Sequence, residues 1–106
     1  ELVNSPSVQI IYDPVNFFPI DSCHEQEQLM DQAFELFGDR IVAIHSKDYL
    51  LKDGLKDGDL PSGTGEMNHH YLTKILLEKK PYIQVILEAT SADNVEDVID
   101  FIRASA

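Results

Sequence analysis

The feature that most constrains this chain is a trio of short apolar runs, each followed by a stretch of helical periodicity. The runs are Val8 to Tyr12, Ile41 to Ile44 and Ile83 to Leu87. All are rich in β-branched residues and nearly continuous in their apolar character, as strands are when both faces of a sheet are covered. After the first run, Leu29, Met30, Ala33, Phe34 and Phe37 recur at helical intervals and stop at Gly38. After the second, Tyr71, Leu72, Ile75 and Leu76 form an apolar face ahead of Lys79, Lys80 and Pro81, a charge pattern suited to a helix C-terminus. After the third, Val95, Val98, Ile99 and Ile102 give an i, i+3, i+4, i+7 stripe. The order β-α-β-α-β-α predicts an α/β fold with a parallel sheet covered by helices.

Local signals refine this outline. Ser22 and Glu25 have the spacing of a capping box and predict the start of the first helix. Asn68 predicts the cap of the second, and Thr90 or Ser91 that of the third. Residues 49 to 66 hold Gly54, Gly58, Pro61, Gly63 and Gly65 among several aspartates, which predicts a long irregular loop. Loops of that length tend to be functional. The sequence has no fixed-period repeat, low-complexity tract or interdomain linker.

Composition narrows the partners. The 106 residues allow one domain, and 8 Lys and Arg against 19 Asp and Glu give a formal net charge of −11. Such a charge disfavours a nucleic-acid backbone and suits a metal or a small polar ligand. Cys23 is the sole cysteine, which rules out an intrachain disulfide and fits a reducing cytoplasm. No apolar run approaches the roughly 18–20 residues of a membrane span. Glu1 to Asn4 lack the basic opening of a signal peptide. The chain therefore reads as soluble and cytoplasmic, and its acidic start without a methionine as that of a fragment or trimmed chain.

Each apolar run ends on a residue able to bind a metal: Asp13, His45 and Glu88. In a parallel sheet the C-terminal strand ends lie on one edge, so the three side chains are expected to converge. Two carboxylates and an imidazole suit Mn²⁺, Mg²⁺, Co²⁺ or Zn²⁺ without choosing among them. Polar residues commonly close strands, so the weight rests on the set of three. Other features have plainer readings beside the functional ones. Gly63, Thr64 and Gly65 ahead of a helix can cradle a phosphate or form an ordinary turn. His69 and His70 read as a surface pair, and Cys23 and His24 as quiet residues at a helix start. Lys52 to Asp59 has the wrong ligand spacing for a calcium loop and reads as solvated. Phe17 and Phe18 either wall a site or pack beneath the first strand's loop.

The residues resemble the xylose isomerase-like barrels, a family that includes sugar phosphate isomerases and epimerases, ketose 3-epimerases and endonuclease IV. The resemblance is carried by Ile11-Tyr12-Asp13-Pro14, by His45 to Asp48, by Pro61 to Asn68 with its Pro-x-Gly-x-Gly signature, and by Val85 to Glu88. It implies that residues 1 to 106 are the C-terminal part of a (β/α)₈ barrel, strands six to eight with their helices. By the same resemblance Asp13, His45 and Glu88 would be three of four ligands to one divalent metal, Mn²⁺ foremost, with a fourth glutamate upstream. Glu88 would also move the proton in an enediolate isomerisation or epimerisation of a sugar or sugar phosphate. Asn16, Lys47, Asp48, Gly63 and Gly65 would contact the substrate.

Two departures shape the expectation. Asn16 stands where many relatives have a histidine, which weakens the alternative of an abasic-site endonuclease or phosphodiesterase. The family's arginine after strand seven is not evident, with Lys47, Lys52 or Lys56 as its nearest substitutes. A third alternative is a non-catalytic α/β fragment. Three barrel strands alone would leave open edges and an apolar face, here expected at Ile10, Tyr12, Val42, Ile44, Val85 and Leu87. The chain is thus expected to be inactive alone and to self-associate or pair with the missing part of the barrel.

Overall fold

A computed structural model of the chain describes residues 8–106. Glu1 to Asn4, read above for their lack of a basic leader, lie outside the described residues. Strand β1 spans Ile10–Tyr12, helix α1 Gln26–Phe37, strand β2 Ile41–Ser46, strand β3 Asp48–Lys52 and strand β4 Leu55–Leu60. Helix α2 spans His69–Lys79, strand β5 Gln84–Leu87 and helix α3 Val95–Ala104. The apolar runs form one parallel sheet in the order β1-β2-β5, with Tyr12 opposite Ile44 and Ile44 opposite Val85. The fold is therefore mixed α/β, with the expected strand and helix succession. Among the described residues no helix is long and apolar enough to cross a membrane.

One face of the sheet meets the helices. Tyr12 and Ile44 are buried there with Met30 and Phe34 of α1 and Leu72, Ile75 and Leu76 of α2, so the helical stripes bury the faces that their spacing selects. The Tyr12 ring meets Phe34 edge-on at a centroid distance of 5.6 Å. Side chains two apart share a strand face. The opposite face therefore carries Ile11, Ala43 and Ile86 below Asp13, His45 and Glu88. Ile11 is 51% and Ile86 42% exposed. This shifts the expected interior face by one residue in every strand: Ile10, Tyr12, Val42, Ile44, Val85 and Leu87 share the face that meets the helices. The ligand positions set the parity: whatever stands two residues before a ligand shares its face.

The segment after β2 is not an irregular loop. β3 and β4 pair antiparallel as a hairpin, with Lys52 opposite Leu55. Asp53 and Gly54 turn between them, both at positive φ (54° and 75°), the left-handed pair of a two-residue hairpin turn. The signal was in the sequence as Asp53-Gly54 flanked by leucines, outweighed by the density of glycine and aspartate around it. Two caps also differ. Ser22 lies in a 3-10 segment, Ile20–Glu25, and α1 begins only at Gln26. Asn94, rather than Thr90 or Ser91, flanks the start of α3, and its side chain accepts from the Ser91 N–H at 2.8 Å. Asn68 does cap α2, accepting from the Tyr71 N–H at 3.0 Å.

Candidate metal centre

The three strand-end residues meet on one edge of the sheet. Asp13 directly follows β1 and opens a 3-10 turn, Pro14–Phe17, in which its carboxylate accepts from the Asn16 backbone N–H at 3.3 Å. The Asn16 amide donates to the other oxygen at 3.0 Å. His45 lies in β2 opposite Ile86 of β5. The Glu88 N–H donates to the Ser46 carbonyl at 2.9 Å, which carries the pairing one residue past β5 and brings Glu88 beside His45. Their side chains meet with His45 Nδ1 and Glu88 Oε1 3.1 Å apart. Ala89 then turns the chain away at a φ of 53°, an unusual conformation for alanine that costs roughly 1 kcal/mol.

One donor atom from each of Asp13, His45 and Glu88 lies within 4.8 Å of the others. Donors about 2.0–2.4 Å from a shared ion stand at most about 4–5 Å apart, so the trio spans a single cation. Asp13 is buried, while His45 and Glu88 are part-exposed and open the site to a ligand. The donor set is oxygen and nitrogen with two formal negative charges, the chemistry of a divalent ion of hard or borderline character. Lys47 supplies a counter-charge, its ammonium 3.4 Å from Asp13 Oδ2. Among the described residues no other group of His, Cys, Asp or Glu converges in this way. Next to Asp13, burial and then the Asp13 charge push the Tyr12 hydroxyl well above its ordinary range, so it stays protonated.

The remaining nominated residues divide. Asn16 and Lys47 belong to the centre, both in contact with Asp13. Asp48, Gly63 and Gly65 belong to a second cluster that holds the loop after β4. The Asp48 side chain is fully buried and accepts from the N–H groups of Tyr49 at 2.9 Å, Gly63 at 2.9 Å and Met67 at 2.8 Å. His69 Nε2 lies 3.2 Å from the same carboxylate. Burial alone would raise the Asp48 carboxyl, but the His69 and backbone hydrogen bonds outweigh it and hold it below its ordinary value. A Cβ at Gly65 would lie 2.1 Å from the Tyr49 carbonyl, so this position requires glycine for close approach.

His69 is buried rather than a surface residue, because Asp48 satisfies one ring nitrogen and the Phe101 ring packs edge-on at 5.1 Å. His70 is exposed, as expected. Phe17 is exposed, its ring centroid 5.6 Å from that of Tyr12, whereas Phe18 packs in the core. Cys23 is buried, with Sγ 3.9 Å from the Phe18 carbonyl.

Two contacts escaped sequence reasoning, which weighed Lys56 only as a substitute for the family's arginine and did not single out Gln26. The Lys56 ammonium, on β4, donates to the carbonyls of Val15 and of Phe18, the latter at 2.6 Å. The hairpin is thereby latched onto the turn that carries Asp13 and Asn16. Gln26, at the start of α1, donates to the Tyr49 hydroxyl and the Glu66 carbonyl, both at 2.8 Å, and accepts from the Asn68 N–H at 2.6 Å. Neither contact leaves a periodic trace in the sequence.

No curated protein and no solved structure matches the chain. A family profile described as the xylose isomerase-like TIM barrel matches residues 1–105. That family covers sugar isomerases and epimerases and endonuclease IV-type enzymes, and its members often bind divalent metals. With nearly its whole length matched and three potential metal ligands on one sheet edge, the chain belongs to the xylose isomerase-like TIM barrel family.

Proposed function

We propose that residues 1 to 106 form strands six to eight of a (β/α)₈ barrel whose full protein isomerises or epimerises a sugar with one divalent metal, Mn²⁺ foremost. The observation that carries this reading is the convergence of Asp13, His45 and Glu88 at the C-terminal strand ends, where such barrels place their active sites. These three residues would hold the ion, with a further ligand supplied by the rest of the barrel. A divalent ion bound there would polarise a substrate carbonyl and acidify the neighbouring C–H.

The residues divide the remaining work. Asn16 fixes the Asp13 carboxylate in one orientation, and Lys47 compensates its charge. Glu88, part-exposed, takes the proton from the substrate carbon and returns it to the adjacent carbon for isomerisation, or a partner group returns it on the other face for epimerisation. His45, within reach of Glu88 Oε1, sets the carboxylate's position. Asp48, Gly63 and Gly65 act at one remove, by holding the loop that follows the hairpin.

The nuclease alternative is weaker, because Asn16 offers no imidazole and a multi-zinc centre needs more convergent ligands than the described residues provide. The test is Mn²⁺ binding followed by proton exchange. One equivalent should bind this chain, and Glu88→Gln should reduce that affinity at least tenfold while leaving the circular dichroism unchanged. In the full-length protein the same substitution should abolish exchange of the substrate's C–H with solvent deuterium. Undiminished exchange would remove Glu88 from the chemistry, and no metal binding by either form would remove the centre.

A further inference from the structure

The reading above leaves open whether the sugar is phosphorylated. We infer, resting on that reading, that the site takes an unphosphorylated sugar. In (β/α)₈ barrels, phosphate groups are frequently held by the loops after strands seven and eight together with a helix N-terminus. Those places are present here as the loop Pro61 to Asn68 and the start of α3. Both are built against an anion.

In the loop, five of the seven backbone N–H groups are already engaged, those of Ser62 and Gly65 being the exceptions. The N–H groups of Gly63 and Met67 donate to Asp48, that of Thr64 to the Pro61 carbonyl at 3.2 Å, and that of Glu66 to the Tyr49 carbonyl at 2.8 Å. The Thr64 hydroxyl also donates to Pro61, at 2.6 Å. At the end of the loop, the Asn68 N–H is held by Gln26, and the Asn68 side chain caps the Tyr71 N–H. A phosphate arriving at this glycine-rich turn would compete with a buried carboxylate for its amides.

The helix start is no better suited. Glu96 and Asp97 occupy the first turn of α3. Acidic residues there interact favourably with the N-terminal end of the helix dipole, the role a bound phosphate would take. Between the loop and this helix lies a cleft of about 190 Å³, the natural seat for a phosphate. Its lining includes Ser62, Gly63, Thr64, Asn94, Asp97 and Phe101, and among the described residues no basic side chain. The Phe101 ring closes its floor, since a Cβ on Gly63 would meet that ring at 2.8 Å.

The cations of the chain are placed elsewhere. Of its eight Lys and Arg residues, Lys47 is paired with Asp13 and Lys56 with two carbonyls. Lys52 stands at the hairpin turn. Arg40, Lys79 and Lys80 lie just before β2 and β5, at the edge opposite the metal centre, and Arg103 is in the last turn of α3. Lys74 is within α2, beside the Tyr71 ring. With a formal net charge of −11, these 106 residues set a field that opposes a phosphate dianion unless a local cluster of cations offsets it. A neutral sugar meets no such barrier, and its hydroxyls suit the carboxylates and amides of the site.

The test compares two matched probes, D-fructose and D-fructose 6-phosphate, binding by calorimetry to the Mn²⁺-loaded full-length protein. Inorganic phosphate is titrated separately into this chain, with the amide signals of Gly63, Thr64, Glu96 and Asp97 followed by NMR. The neutral sugar should bind at least about tenfold more tightly than its phosphate ester, with the gap narrowing as salt screens the repulsion. Inorganic phosphate should leave the four signals in place. Equal or tighter binding of the ester, or saturable shifts of those amides, would overturn the inference while leaving the carbohydrate reading intact. If Mn²⁺ binds and neither sugar does, the carbohydrate reading itself fails and the inference with it.

Discussion

The Lys47 ammonium stands 3.4 Å from Oδ2 of Asp13, so one carboxylate of the candidate centre carries a counter-charge of its own. A divalent ion reaching Asp13 meets that ammonium as a competitor. Lys47→Met is therefore expected to tighten Mn²⁺ binding roughly fivefold, from about 1 kcal/mol of relieved repulsion across a part-buried pair. Lys47→Arg should bind as the parent does. Calorimetric titration of the three proteins checks this, and weaker binding by the methionine variant would show instead that Lys47 places Asp13.

Asp48 predicts a defined dependence of stability on pH. Its carboxyl is held below the ordinary value of 3.8 in the folded state. A lowered folded value means that the contribution is fully present above the unfolded pKa, near 4, and is lost as the pH falls through the lower folded one. Asp48→Asn should cost about 3 kcal/mol at pH 7, since the amide nitrogen replaces an acceptor among buried N–H donors. The gap between parent and variant, read from urea midpoints, should shrink steadily below pH 4. A constant gap at pH 7 and pH 2.5 would exclude the ionised carboxylate as its source.

Two glycines should respond in opposite directions to the same substitution. Gly65→Ala forces a methyl group onto the Tyr49 carbonyl and should cost about 3 kcal/mol or more, because a backbone oxygen cannot step aside as a side chain can. Gly38 has nothing within 4 Å and an ordinary helical φ of −52°. Gly38→Ala should be neutral or stabilise by about 0.5 kcal/mol. Thermal melts of both variants test the pair.

Ile11 and Ile86 lie exposed on the face that also carries the metal-ligand positions. Self-association through this face is the expected way to remove it from water. Ile86→Lys should shift sedimentation toward the monomer without changing the helix content. An unaltered association constant would place the contact elsewhere.

How far the sequence could be read depended on whether a feature was periodic. Leu72, Ile75 and Leu76 repeat at the helical interval, and Ile41 to Ile44 is a continuous apolar run, so α2 and β2 were legible. β4 was not. Its Lys56, Asp57, Gly58 and Asp59 show no apolar alternation, because the strand is secured by the Lys56 ammonium rather than by apolar burial. The three strand-end residues were nominated because parallel topology sends strand ends to one edge, and the structure brings them together. Asp48 was nominated as a substrate contact, and the buried cluster around it was not legible for the complementary reason. The amides that surround it come from positions 49, 63 and 67 and from His69, and a one-dimensional pattern does not show that they meet.

The Lys56 latch has a consequence for how this region can diverge. Its acceptors are the main-chain carbonyls of Val15 and Phe18, which persist whatever side chains those positions carry. The attachment of this turn to the hairpin thus needs no particular side-chain hydrogen-bonding group at Val15 or Phe18, which are held instead by their burial in the core. Lys56 itself has no such freedom, and neither has Gly58, where a Cβ would approach Val15 Cγ1 to 3.3 Å. The tip at Asp53 and Gly54 lies outside this constraint, with open space around Gly54. A peptide tag or fluorophore grafted there would leave the grip on the Asp13 turn untouched, whereas trimming the hairpin at its root would release it.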